Sequence, residues 1–559
     1  MKKKFNILFI LILLTGPIII KAQDENNFEI SKNIEIYVDI LRQLNQNYAD
    51  NIQPGELNKT AIDAMLGKLD PYTVYVPESK LEDFELMTRG EYGGIGALIQ
   101  KQGGYVVITE PYEGFPAHKA GLQAGDIIIS IDGESAEGKN TSAVSEKLKG
   151  VPGTDIEITI QRYGDTTNQV VELVREKVKI PNIPYYGMLN NNIGYVSLFQ
   201  FNPNSAIEVK KAFNDLKANN DMKAFILDLR GNGGGLLSEA VDISNIFVPK
   251  GTTVVTTKGK LSSSVHIHKT RGGATDTKIP VVVLVNENSA SASEIVAGAM
   301  QDLDRGIILG TRTFGKGLVQ NIVPLPYNSK MKMTIAKYYI PSGRCIQAID
   351  YFDANRNGSP DKIPDSLIAE FKTAGGRPVF DGGGIEPDIK IKAREFSQIT
   401  GDLMAQNYIF NFTNEFVLQH DSVASPKEFE VSDEVFNDFK DWVSNQEFDY
   451  KTETEVLIEK LKGSAEREGY LDVIQPLLDS LTNSLKHEKT YDIDRNRDEI
   501  QEFLKMEILT RYYYQKGRLI AALKNDPIIE KAIDLISDKV LYSSILDGTY
   551  VAEESESSN

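Results

Sequence analysis

Among its 559 residues the chain has one cysteine, one tryptophan and five histidines. Cys345 has no intramolecular partner, so the fold rests on core burial rather than disulfides. A cysteine nucleophile and a cysteine-based metal site are disfavoured on the same ground. Basic surplus is missing too: 61 Lys and Arg against 79 Asp and Glu leave a net charge of −18. That balance argues against nucleic acid or an anionic membrane as partner, since either requires a basic surface to displace counterions. The histidines are His118, His266, His268, His420 and His487. Only His266 and His268 could share one face of a strand, and no carboxylate is spaced to complete a triad or a metal site with them.

Long apolar runs are absent apart from one at the N-terminus, Phe5 to about Ile20, which follows three lysines and is interrupted at Thr15-Gly16-Pro17. This pattern predicts a secretory signal peptide over 1–22, cleaved after Ala22, and hence an exported, periplasmic chain. No cysteine lies nearby for a lipid anchor. Retention of the segment would leave the protein membrane-associated.

The length exceeds one core and predicts three or four domains. Residues 23–90 read as a helical cap, with Ile34, Val38, Leu41 and Leu44 at helix spacing. From 91 to 175 short β-branched runs alternate with glycine. Between 176 and 395 strands and helices alternate. The run Val281 to Val285 lacks polar alternation, as in a strand covered on both faces. Residues 396–546 turn acidic and helical, and 547–559 (ending EESESSN) read as a disordered tail.

The 91–175 segment resembles a PDZ domain. Carrying residues are Gly93-Gly94-Ile95-Gly96 before a strand, Ala120-Gly121-Leu122 in a short helix, Gly125-Asp126-Ile127-Ile128 opening a strand and Ile131-Asp132-Gly133 at a turn. Gly94, Ile95 and Gly96 would offer backbone N–H groups to a terminal carboxylate, and the adjoining strand edge would take an extended peptide by β-augmentation.

The stretch Asn288-Ser-Ala-Ser-Ala-Ser-Glu294 places three serines at the start of an apolar helix. Serine is a good N-cap, which accounts for one or two of them. A nucleophile at a helix start would also gain from nearby N–H groups. Lys316 in Phe314-Gly315-Lys316-Gly317 follows, then Gln320. This set resembles the carboxyl-terminal processing peptidases, PDZ-containing serine endopeptidases with a Ser-Lys dyad. Leu69-Asp70-Pro71-Tyr72-Thr73, Leu227-Asp228-Leu229-Arg230 with Gly233-Gly234-Gly235, and Gly383-Gly384-Ile385-Glu386-Pro387-Asp388 extend the match over roughly residues 30–395.

The resemblance implies a multidomain α/β (α+β) fold: a ClpP/crotonase-like protease core with an inserted PDZ domain, an N-terminal helical cap and a C-terminal helical domain. It implies Ser291 as nucleophile, Lys316 as general base and Gln320 as the residue orienting the lysine, with Ser289 left as the cap. Ala292 and Gly234 would supply the oxyanion N–H groups. The chemistry agrees: a serine hydroxyl needs an adjacent base, and a lysine serves only if burial pulls its pKa below the usual value of about 10.4. Neither a cofactor nor a metal is implied. The partners would be protein substrates with accessible apolar C-terminal tails. An adaptor, or a second copy docking through the C-terminal helical domain, is a further expectation.

The Leu227–Gly235 stretch could cradle a phosphate, but a P-loop needs Gly-Lys-Ser/Thr at the next helix, which here opens Leu236-Leu237-Ser238. Residues 353–361 have calcium-loop offsets without the acid at position twelve, where Pro364 stands. Some family members use a late PDZ arginine as a peptide sensor. This chain has Lys149, which cannot make a bidentate guanidinium contact. The rival reading is a catalytically silent PDZ scaffold, which would predict loss of Ser291, Lys316 or the glycine loop.

Overall fold

The computed structural model describes residues 5–550 apart from 82, 83, 85–89, 352–360, 364, 393 and 490, and only the backbone of 5–25, 361, 365 and 486–489. Residues 353–360 of the calcium-like loop therefore lie outside the described residues, as does the tail from 551. The expected leader, 1–22, falls in a helix described from Phe5 by its backbone. Among the described residues no helix is long and apolar enough to cross a membrane.

The chain divides into two compact units, 1–76 with 322–333, and 77–321 with 334–559. In the first, the helix Phe5–Asn47 is followed by Pro54–Leu66, which has proline in its first turn and Gly67 after its last. The Asp70-Pro-Tyr-Thr segment then turns the chain. Buried Asp70 accepts the Tyr72 and Thr73 N–H groups, each at 2.8 Å, and aligns Val74–Val76 antiparallel to Lys330–Lys332.

The second unit contains three packed regions. Residues 97–174 form an antiparallel sheet in the order Ala97–Gln102, Tyr105–Pro111, Ile127–Ile131, Asp155–Gln161, Asn168–Val174. Period-two alternation sends Ile156, Ile158 and Ile160 inward to Val106, Ile108, Ile128 and Val144. Val144 rides on the helix Thr141–Leu148, capped by Asn140.

The protease-region sheet has six strands in the order Tyr185–Leu189, Ile193–Ser197, Ala224–Asp228, Val281–Val285, Ile307–Gly310, Ile389–Lys390. All neighbours pair in parallel except the first two. Strand 281–285 is buried along its whole length, as its unbroken apolar run predicts, and so is 224–228. One face is covered by Ser205–Asn219, Leu237–Phe247 and Ala292–Asp302.

The other face holds a surprise. The helices of the 396–546 region feed two separate cores. Phe412, Phe436, Phe439, Ile500, Leu504 and Ile508 share their own core. Pro527–Ser537 and Lys539–Leu546 instead pack Ile529, Ala532, Leu535 and Ile545 against Ile226, Val282, Leu284 and Ile307 of the sheet. Tyr542 completes the seal: its hydroxyl donates to the Val281 carbonyl at 3.0 Å and accepts the Val281 N–H at 2.9 Å.

Candidate active site

Ser291 ends the loop after the 281–285 strand and caps the buried helix Ala292–Asp302. Its φ is +57° and its ψ −111°, outside the regions an L-residue favours, a strain of about 1–3 kcal/mol that the surroundings must hold in place. Ser289, expected as the cap, does another job. Its buried hydroxyl donates to the Leu229 carbonyl at 2.8 Å and accepts the Asn286 N–H at 2.9 Å, tying the Ser291 loop to the end of the neighbouring strand. Ser293 donates to the Asn232 carbonyl at 2.8 Å. Of the three serines, two are thus structural and only Ser291 occupies the strained corner.

Glu294 was not singled out from the sequence, although a glutamate three residues after a capping serine is a capping-box signature. It is fully buried, and its reach goes beyond the cap. One carboxylate oxygen accepts the N–H of Ser291 at 2.8 Å and of Lys316 at 2.9 Å. The other accepts the Gly315 N–H at 2.7 Å and the Thr313 hydroxyl at 2.6 Å. Burial pushes its pKa up, and the four donors, Thr313 foremost, oppose that push. One side chain therefore fixes the backbones of Ser291 and Lys316 to each other.

Tyr338 does the same from the far side, its hydroxyl lying 3.1 Å from the Ser291 carbonyl oxygen and 2.5 Å from that of Lys316. Thr313 in turn accepts the Ile385 N–H at 2.7 Å, which is where the Gly-Gly-Ile-Glu-Pro-Asp segment enters the site. Gln320 lies on the strand Leu318–Pro324, and its amide donates to the Thr334 hydroxyl across the hairpin at 3.2 Å.

The glycine loop after Arg230 closes on Ser291 from the neighbouring strand end. Gly234 sits at φ +100°, and a Cβ there would stand 2.6 Å from the Ala290 carbonyl oxygen and 2.8 Å from Ser291 Cβ. Its N–H, expected in the oxyanion hole, donates to Asn232 Oδ1 at 2.8 Å in this conformation. Ala292 is 1 % exposed and opens the helix, so its N–H belongs to the unpaired first turn.

In the PDZ region Ile95 is buried, and the loop is pinned by its carbonyls. Ala117 N–H donates to Ile95 and Tyr112 N–H to Gly96, both at 2.8 Å. Among the described residues no hydrogen bond is made by the Ile95 or Gly96 N–H. The Ala97 N–H meets the Tyr92 phenol oxygen, and Lys149 Nζ lies 5.7 Å from the Tyr92 ring centre. A guanidinium is also present beside Lys149, which the sequence reading missed. Buried Arg175 donates to the carbonyls of Lys147 at 2.8 Å, Leu148 at 3.3 Å and Asp155 at 2.9 Å. With its fork spent on carbonyls, it shapes the loop.

His266 and His268 lie on the strand Val265–Lys269, where His268 faces the Thr257 hydroxyl. Among the described residues no three metal-ligating side chains converge.

Three family profiles match in chain order: "PDZ domain" over 107–162, "Peptidase family S41" over 192–351, and "Probable PDZ-protease, C-terminal helical domain" over 399–536. A "Carboxy-terminal-processing protease" of Bartonella bacilliformis is 36 % identical over 344 residues, 60 % of this chain and 79 % of the relative. A "Probable CtpA-like serine protease" of Staphylococcus haemolyticus is 31 % identical over 466 residues, 80 % of this chain and 83 % of the relative. Among solved structures, a photosystem II D1 C-terminal processing protease is 28 % identical over 64 % of this chain and 92 % of its own, with a TM-score of 0.35. With identity this high over most of the relatives' length, the chain belongs to the carboxy-terminal-processing proteases, PDZ-containing serine-type peptidases of family S41.

Proposed function

We propose that the protein is an exported endopeptidase that captures protein C-termini in its PDZ domain and cleaves near or upstream of them through a Ser-Lys acyl-enzyme. The observation that carries this reading is the double tie between Ser291 and Lys316. Glu294 accepts both N–H groups, and the Tyr338 hydroxyl meets both carbonyls. Such rigid placement of two short segments is what a nucleophile and its base require.

In this mechanism Lys316, as the free amine, takes the Ser291 hydroxyl proton while the oxygen attacks the scissile carbonyl. Gln320 orients the lysine. Charge on the tetrahedral oxygen is met by the Ala292 N–H and by the Gly234 N–H, the latter once it leaves Asn232. The amine leaves with the proton that Lys316 holds, and water then attacks the acyl-enzyme. Gly94, Ile95, Gly96 and Lys149 receive the tail carboxylate, and the edge of Ala97–Gln102 that pairs with no strand among the described residues receives its backbone. No cofactor or metal takes part. Assembly with a second copy or an adaptor is assigned to the helical region, where Leu457, Leu461, Val473 and Leu477 are exposed.

The test is cleavage of an unfolded reporter with an apolar C-terminal tail, by wild type, Ser291→Ala and Lys316→Ala, from pH 6 to 10. Loss in both variants is expected, with wild-type rate rising through an apparent pKa below that of free lysine. Full activity in Ser291→Ala would overturn the assignment. Tail binding without cleavage by wild type would favour the scaffold.

A further inference from the structure

Arg230 follows the 224–228 strand by two residues and begins the glycine loop that closes on Ser291. Its guanidinium is four-fifths buried and held from two sides. Asp228 receives it at 2.6 to 3.1 Å, and Asp228 is itself held by the Tyr195 hydroxyl at 2.8 Å. The second holder comes from almost 300 residues downstream: Asp526 Oδ2 lies 2.7 Å from Arg230 Nη1. Asp526 is also the N-cap of Pro527–Ser537, and it divides its two oxygens between the jobs. Oδ1 accepts the Ile528 and Ile529 N–H groups at 2.9 and 3.3 Å, which leaves Oδ2 for the guanidinium. The helix it caps is bedded in the core of the same sheet, so Asp526 is a fixed point.

We infer that Asp526 is a positioning residue for the peptidase reaction. Through Arg230 it sets the base of the 231–235 loop and so the donors that face the Ser291 oxygen. This assigns the last helices of the chain a part in catalysis beyond covering the sheet, and it rests on the Ser291 reading above. The loop has little other freedom: Gly231 N–H is bound to Asn286 Oδ1 at 2.8 Å, and the Asn232 carbonyl accepts the Ala290 N–H at 3.0 Å. Asn232 and Phe201 hold its far end at Gly234, and Arg230 holds its base.

The divided carboxylate makes the inference separable from mere folding. In Asp526→Asn the single carbonyl oxygen can keep the helix cap, since Asn caps about as well as Asp, but the amide NH2 then faces the guanidinium, donor against donor. Asp526→Ser likewise keeps a cap without the ion pair. Asp526→Glu can reach Arg230 but caps poorly. Full-length wild type and the three variants would be compared on the tailed reporter, with Tm and the rate of labelling of Ser291 by a serine-reactive fluorophosphonate.

The expected result is a double dissociation. Asn and Ser lower kcat and the labelling rate by about ten- to a hundredfold with KM and Tm retained. Glu retains kcat while Tm falls by about 2–4 °C. Wild-type kcat in both Asn and Ser, or activity that follows Tm across all three, overturns the inference. Ser291→Ala is run alongside. Its inactivity with active Asn and Ser variants sinks this inference alone, whereas its full activity sinks the catalytic reading and this one with it.

Discussion

Two glycine loops follow the same rule in the sequence and obey opposite demands in the fold. In the PDZ region Gly93–Gly96 is held by its carbonyls, and the Ile95 and Gly96 N–H groups meet no acceptor among the described residues. In the protease region Gly231–Gly235 is held through both sides of its peptide units: the Gly231 and Gly234 N–H groups by Asn286 and Asn232, the Asn232 and Gly234 carbonyls by the Ala290 and Phe201 N–H groups, and its base by the Asp228–Arg230–Asp526 anchor. The first is an open cradle suited to a ligand that arrives. The second is a buttressed loop whose one required change is the release of the Gly234 N–H from Asn232 to the transition state.

The comparison breaks most sharply at one glycine in each loop. Gly234→Ala would drive a Cβ into the Ala290 carbonyl and Ser291 at a positive φ, and kcat should fall by about a thousandfold or more for every substrate. Gly96 also has positive φ, +73°, and its Cβ would meet Phe115 at 2.6 Å. Gly96→Ala should raise KM for a tailed protein by about tenfold or more and leave a short tail-less peptide unaffected. Steady-state kinetics on both substrates check the pair. Equal loss on both substrates in Gly96→Ala would mean that the PDZ loop serves the core rather than the tail.

A smaller effect sharpens the buttressed side. Glu294→Gln keeps size and burial, but its amide NH2 must face two of the four donors that the carboxylate accepts. We expect kcat to drop by about ten- to a hundredfold, with KM little changed. Unaltered kcat would show that Tyr338 alone holds Ser291 and Lys316 in register.

The smallest effect lies away from both loops. Burial works against the Asp276 carboxylate, but Lys217 at 2.6 Å and the Lys278 and Ile279 N–H groups hold its pKa down, from 3.8 to about 2. A depressed carboxylate stabilises the fold above its unfolded pKa and loses that contribution as the pH falls through the folded one. Asp276→Asn should cost about 1–2 kcal/mol at pH 7, discounted for the exposed lysine, and the gap to wild type should narrow between pH 4 and 2. Urea unfolding at pH 7 and pH 3 measures it, with no change in kcat expected.

Much of this was legible in the chain. The unbroken apolar run announced the 281–285 strand and the ordered glycine motifs announced the PDZ region, because burial on two faces and turn chemistry are both local demands. The small-residue run at Ser289–Glu294 marked the candidate site. Reading Ser289 as the cap failed for a physical reason: Ser291 itself occupies the turn into the helix, which frees Ser289 to bind Leu229 across the sheet.

By itself the sequence determined the layer pattern, the order of the regions and the residue types able to do acyl transfer, since periodicity and turn chemistry act over a few residues. Only the tertiary structure decided which groups hold the site: Glu294 across to Lys316, Tyr338 beneath both segments, Asn232 on Gly234, and Asp526 from the far end of the chain on Arg230. A buried carboxylate's pattern reports that it is buried; its partner is chosen by where distant strands and helices are brought together.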